Sequence, residues 1–229
     1  RLRAEHAYLV GCNINPKLEA DLVEEGCKVT RISAEKPFDL SYKCGEFANK
    51  NKTTTKKSLI LASSEVFADS LSMSSYSYAN KVPMLLVPKD IDDNMAKIIN
   101  DYGAEEVLVI GGENTISSES MAKIGKARRI SGQDRYQTSR IIQKDYYPDS
   151  KNSLVASGLT FADTVAASPL AGIMKANIVL VKNTSEEVHD YHFQKIVAVG
   201  GLVKKYMTDV VYINPHQDDE TIDMGLDII

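Results

Sequence analysis

The sequence predicts an α/β fold built from tandem modules with mainly parallel sheets, and three observations carry that prediction. The first is an internal repeat: L-I-L-A-S-S-E-V-F-A-D-S-L-S-M-S-S at 59–75 returns without insertion as S-L-V-A-S-G-L-T-F-A-D-T-V-A-A-S-P at 153–169. The second is a set of three short apolar runs that end in glycine, Y-L-V-G-C at 8–12, V-L-V-I-G-G at 107–112 and I-V-A-V-G-G at 196–201. The third is R-I-S, at 31–33 and again at 129–131. Similar modules in series call for a function performed by the modules together.

In chain order, the order glycine strand, R-I-S, F-A-D recurs, so the chain enters its cycle in the middle of a module, and upstream sequence is expected. The boundaries that follow are 1–50 for the C-terminal part of a first repeat, 51–144 for a second, 145–211 for a shortened third and 212–229 for a different segment. Strands are predicted at Ser58–Ala62, Met84–Val87, Val107–Ile110, Leu154–Ala156, Ile178–Val181 and Ile196–Val199. Their apolarity is continuous rather than alternating, the mark of strands covered on both faces of a parallel sheet. Between Met84–Val87 and Val107–Ile110, the residues Ile91, Met95, Ile98, Ile99 and Tyr102 recur at helical spacing and share one face. Strands alternating with helices give parallel units joined by right-handed crossovers.

The loops after the strands hold the residues of chemical interest. In each F-A-D, Phe67 and Phe161 are expected to dock into the core, and Asp69 and Asp163 to stand near a helix start, where exposed N–H groups favour a carboxylate. They are read either as helix-start groups or as part of a binding surface. The paired glycines of V-I-G-G-E-N-T-I-S-S allow a sharp turn before a serine-capped helix, a corner that serves structure or receives an anion. R-R-I-S-G-Q-D-R-Y-Q-T-S at 128–139 brings Arg128, Arg129, Asp134, Arg135 and Tyr136 to the start of a helix running through Ile141 and Ile142. A guanidinium there can fork onto a ligand's carboxylate or phosphate, or can pair with Asp134 or a neighbouring module's aspartate. The first copy has Lys36, Pro37 and Phe38 instead and is expected to have lost any such site.

Composition narrows the function. A net charge of −4 argues against a general binder of nucleic acid or anionic membrane. No apolar run approaches the roughly 18–20 residues of a membrane span. Three cysteines, Cys12, Cys27 and Cys44, are too few and too irregularly spaced for a disulfide framework or zinc site. Trp is absent, which weakens a neutral-sugar site built on stacked rings. Neither G-x-G-x-x-G nor a P-loop occurs, which removes a dinucleotide or nucleoside triphosphate site.

R-I-S-G-Q-D-R-Y-Q-T, A-S-G-L-T-F-A-D-T-V-A-A-S-P-L-A, P-M-L-L-V and V-I-G-G-E-N-T-I-S together resemble the cell-wall-binding repeat family, type 2, over about residues 7–211. The resemblance implies a pseudo-threefold arrangement of modules on a secreted protein of a Gram-positive, often clostridial, cell surface. It also implies noncovalent anchoring to an anionic cell-wall polymer, with no cofactor for the repeats. On that reading Arg135, with Arg128 or Arg129, meets the polymer's charge, and Asp69, Asp134, Tyr136 and Asp163 belong to the same surface. Departures are the degenerate first copy, S-S-Y-S-Y at 74–78 and the short L-V-K-K-Y after the third glycine strand.

From Val211 the chain reads V-Y-I-N-P-H-Q-D-D-E-T-I-D-M-G, which resembles, over about 15 residues, the P-H-x-D-D-E motif of LmbE-like N-acetylglucosaminyl deacetylases. That resemblance implies zinc ligands at His216 and Asp219 and a general base at Asp218. A catalytic zinc takes a third protein ligand. His189 and His192 lie upstream and are read as surface histidines, so this chain by itself is expected to lack the activity.

Overall fold

The structure is a computed structural model and describes residues 4–51, 53–54, 57–182 and 195–199. Strand β1 (His6–Gly11), helix α1 (Pro16–Glu24), strand β2 (Lys28–Ser33) and helix α2 (Pro37–Lys50) form the first unit. The second contains β3 (Ser58–Ser63), α3 (Phe67–Asn80), β4 (Met84–Val87), α4 (Asp93–Asp101), β5 (Glu106–Ile110), α5 (Ser118–Ala122), β6 (Ala127–Ile130) and α6 (Arg135–Tyr146). The third contains β7 (Asn152–Ser157), α7 (Ala162–Ile173), β8 (Asn177–Val181) and β9 (Lys195–Val199). Every strand pair is parallel, and the sheet orders are β1-β2, β4-β3-β5-β6 and β8-β7-β9. The F-A-D strand thus lies between its two neighbours in both copies.

Both faces of the central sheet are covered, as continuous apolarity requires. Leu59, Leu61, Val107 and Val109 pack on one side with Phe38, Ile91 and Ile99, while Ile60, Leu108 and Ile110 pack on the other with Met73, Ile142 and Tyr147. Alternate strand residues therefore feed two separate clusters. Helix α4 presents its predicted face to the first of these and is capped by Asp92, which accepts from the Met95 N–H at 2.8 Å.

The modules interlock through the helix that follows each R-I-S strand. Helix α2 leaves β2 but lies on β4, where the Leu86 N–H donates to Ser41 Oγ at 3.0 Å; α6 leaves β6 but lies on β8, where the Leu180 N–H donates to Ser139 Oγ at 3.2 Å. In each case a serine hydroxyl satisfies a strand N–H that the sheet does not.

The F-A-D helices meet directly. Phe67 and Phe161 have ring centroids 5.6 Å apart, the hydroxyls of Ser74 and Ser168 lie 2.7 Å apart at a sequence separation of 94, and the Tyr78 ring covers Gly172. These are repeat mates at the start, middle and end of α3 and α7, so the two helices run side by side in the same direction. Helices beside a pseudo-threefold axis stand in this relation. Small residues permit the approach: Ala68, Ser72 and Ser75 are buried on α3, Ala167 and Ala171 on α7. The Ser70, Ser72 and Ser74 hydroxyls donate to carbonyls three or four residues back, so burial leaves them satisfied.

One expectation fails. Phe161 does not enter the core; it is 57% exposed and leans on Phe67, which is the ring that packs into the third cluster. The reason lies in the neighbours: Phe67 is covered by the third cluster and by the Arg135 guanidinium, whereas the described ring contact of Phe161 is with Phe67 itself.

Ile142 is fully buried between α6 and the central sheet. Ile142→Ala is expected to destabilise the chain by about 2–5 kcal/mol. Urea unfolding checks this: the midpoint should fall with little change in slope.

Candidate functional site

The R-I-S arginine acts in both copies on the loop after the preceding glycine strand. Arg129 donates from Nη1 to the Gly111 carbonyl at 2.7 Å and from Nη2 to the Ile116 carbonyl at 2.9 Å. Arg31 donates from Nη1 to the Ile14 carbonyl at 3.4 Å and from Nε to Glu19 at 2.6 Å. A planar fork aimed at two carbonyls fixes the loop's path. The same act in two modules assigns Arg129 a structural task, which the spacing of R-I-S from the glycine strand would have indicated.

The glycine corner itself is closely packed. Gly111 has φ of +109°, and a Cβ there would lie 2.4 Å from Thr115 Oγ1 and 2.8 Å from Asp69 Oδ2. Only glycine meets both demands. Thr115 Oγ1 donates to the Gly112 carbonyl at 2.8 Å, and the Ser117 hydroxyl caps α5 through the Ser120 N–H. The corner is filled by Asp69 from below.

Asp69 stands in the first turn of α3 and is only 6% exposed. Burial pushes its carboxyl above the ordinary carboxylate range, and the positive charge of Arg135 pulls it partly back. Arg135, at the start of α6, donates from Nη1 to the Gly158 carbonyl at 2.6 Å, and its guanidinium lies over the Phe67 ring at 5.7 Å. Of the alternatives left open for this arginine, its contacts within the chain are to Phe67 and the loop after β7, and it acts on Asp69 through its charge with no ion pair between them. The Tyr136 ring packs against Gly158, where a Cβ would come within 2.5 Å of Cε1. Asp69, Arg135, Tyr136 and Phe67 thus come together at the carboxyl ends of β3 and β7.

The remaining predicted residues lie apart from that cluster. Asp134 is exposed and caps α6, accepting from the Gln137 N–H at 2.8 Å. Arg128 is exposed, pairs with Glu106 at 2.9 Å and donates to Tyr146 Oη at 2.6 Å. The Tyr146 hydroxyl is pushed up to about 12, chiefly by burial. Asp163 lies in the first turn of α7, but its side chain is outside the described residues, as are His189, His192, His216, Asp218 and Asp219. Among the described residues no group of three His, Cys, Asp or Glu side chains is placed to hold a metal, and no helix is long and apolar enough to cross a membrane. The three cysteines are free thiols, with Cys27 buried. The first copy places Phe38, the counterpart of Tyr136, in the core at 4% exposure.

The folded chain holds the Asp69 proton more tightly than the unfolded chain does, so this group's contribution to stability falls as pH rises from its ordinary value of 3.8 through its raised one. Thermal midpoints of wild type and Asp69→Asn should therefore diverge across that window, the wild type losing ground with rising pH. Arg129→Ala should cost about 1–3 kcal/mol, since it strands two loop carbonyls, and denaturant unfolding reads that loss.

The comparisons with known proteins agree with this architecture. The family model described as cell wall binding domain 2 matches residues 31–121 and 129–204. The chain is 26% identical over 156 residues to the N-acetylmuramoyl-L-alanine amidase LytC of Bacillus subtilis (strain 168), covering 68% of this chain and 30% of that protein. It is similar in fold to Cwp8 from Clostridium difficile, with a TM-score of 0.75 and 24% identity over 90% of this chain and 38% of that one. Cwp6 from Clostridium difficile gives a TM-score of 0.77 and 23% identity over 88% and 34%. The chain thus spans about a third of the length of each of these proteins. With both repeats matched in order and the fold in agreement, this chain belongs to the cell wall binding domain 2 family.

Proposed function

We propose that this chain is a noncovalent anchor that holds a secreted protein on the cell surface by binding an anionic polymer of the wall. The observation that carries this reading is the in-register contact of α3 and α7, in which residues 94 apart meet each other. A repeated surface held in one orientation suits a repeated ligand, because linked weak contacts raise avidity without any single tight one. Membership of the cell wall binding domain 2 family and the similarity to an N-acetylmuramoyl-L-alanine amidase support the wall as the target.

Among the candidate residues, Arg128 is the most exposed guanidinium, and Arg135 offers the polymer its remaining N–H groups at the seam between modules. Asp134 and Tyr136 flank Arg135 on α6. The metal-dependent deacetylase reading of residues 212–229 rests on the motif of His216, Asp218 and Asp219 alone, and the family match ends at residue 204.

Sedimentation with purified wall tests the proposal. The chain should co-sediment with intact wall, and lose most of that retention after the anionic polymer is extracted. Retention that survives extraction would refute the polymer as ligand. Arg128→Gln should weaken retention by about two- to fivefold at low salt with little change in thermal midpoint, because an exposed ion pair adds only about 0–1 kcal/mol to stability.

A further inference from the structure

The ends of α3 and α7 converge on a cleft of about 620 Å³, bounded on its other side by α2. Lys81 and Lys175 both line it, one from each repeat and 94 residues apart. Both follow their helices in the left-handed conformation, at φ of 56° and 50°. The turns are alike: the Val82 N–H bonds back to the Ser77 carbonyl and the Ala176 N–H to the Ala171 carbonyl, each at 2.9 Å. Glycine is the residue that such a position favours. Lysine there costs about 1 kcal/mol of backbone strain, as it also does at Lys126 with φ of 57°, and in the two matched turns it brings an ammonium to the same cleft.

The surroundings leave these two charges uncompensated. Among the described residues neither ammonium has an ion pair or hydrogen bond, and no Asp or Glu lines the cleft. Tyr78 is 56% exposed, and its ring lies against Gly172, where a Cβ would approach to 2.4 Å. The ring is thereby held at the mouth of the cleft. Pro83 supplies an apolar floor, and Cys44 of α2 stands on the opposite wall with its thiol pushed up by burial.

We propose that this cleft is a subsite for an anionic sugar unit, with Lys81 and Lys175 holding its phosphate or carboxylate and Tyr78 and Pro83 receiving the sugar's apolar face. The assignment rests on the anchor reading above and deepens it, since it names where one charged unit of the polymer sits. Two cations without a carboxylate select an anion. An apolar floor beside them selects a ligand with carbon surface rather than a bare ion.

The test is a titration of the chain with N-acetylglucosamine 1-phosphate and glucuronic acid, followed by backbone NMR, with neutral N-acetylglucosamine as control. One or both charged sugars should shift the signals of Tyr78, Lys81 and Lys175 saturably, slow alkylation of Cys44, and bind about tenfold or more tightly than the neutral sugar. The double variant Lys81→Gln/Lys175→Gln should lose this response, and Lys81→Arg/Lys175→Arg should keep most of it. Absence of a saturable shift, or an equal response in the glutamine variant, overturns the subsite. So does Cys44 that is already protected in a longer form of the protein without any sugar, which would make the cleft a seat for another part of the polypeptide. Wall sedimentation separates the two levels: a chain retained by wall without a response in the cleft keeps the anchor reading and rejects this site, whereas a wild type that fails to sediment rejects both.

Discussion

The close approach of α3 and α7 is the constraint on which the rest of the structure depends. A helix can lie against its own repeat mate only if both present small or complementary groups along the shared line. The sequence supplies serine against serine at Ser74 and Ser168, and tyrosine against glycine at Tyr78 and Gly172. Because the contact is between equivalent positions, it sets the angle between the modules as well as their distance. The third cluster then draws on both repeats, with Ala68 and Phe67 of α3 packed beside Ala167, Ala171 and Leu154. The modules share a core and are not beads on a string.

Polar groups at the seam follow from that packing. Bringing α3 inward buries the carboxylate of Asp69, and a buried charge calls for a partner. The charge of Arg135 on α6 offsets part of that cost, while its Nη1 satisfies the Gly158 carbonyl and its flat face meets Phe67. Gly111 leaves room for the carboxylate, and Arg129 holds the loop that closes over it. The F-A-D, V-I-G-G and R-I-S-G-Q-D-R-Y motifs are thus three parts of one joint, which explains why they recur together within a repeat.

The strands with continuous apolar runs, their parallel pairing and the helix over residues 93–101 were legible in the sequence, because such runs and helical spacing depend on local pattern; β2 and β6 were not, because charged residues interrupt K-V-T-R-I-S and A-R-R-I. The tasks of Arg129 and Arg135 were not. Periodicity says that an arginine stands beside a strand or at a helix start; it does not say which carbonyl lies opposite. Nor does it show that α2 and α6 pack on the sheet after their own, since the serine hydroxyls at Ser41 and Ser139 look like ordinary helix residues until Leu86 and Leu180 are placed. Phe161 departs from expectation for a similar reason: the identity of F-A-D in both copies does not show that the third module covers Phe67 while Phe161 stays exposed. The lysine cleft lay hidden because Lys81 and Lys175 are ordinary surface residues in each repeat taken singly.

Contact between repeat mates is the claim most open to direct measurement. In a chain with Cys12, Cys27 and Cys44 changed to serine, Ser74→Cys and Ser168→Cys place two thiols where hydroxyls lie 2.7 Å apart. Mild oxidation should join them within one molecule, seen as a mass loss of two hydrogens and a raised thermal midpoint, since a disulfide needs the two backbones to be this close. Two thiols that stay free under oxidation, or that link only between molecules, would contradict the shared seam and the account built on it.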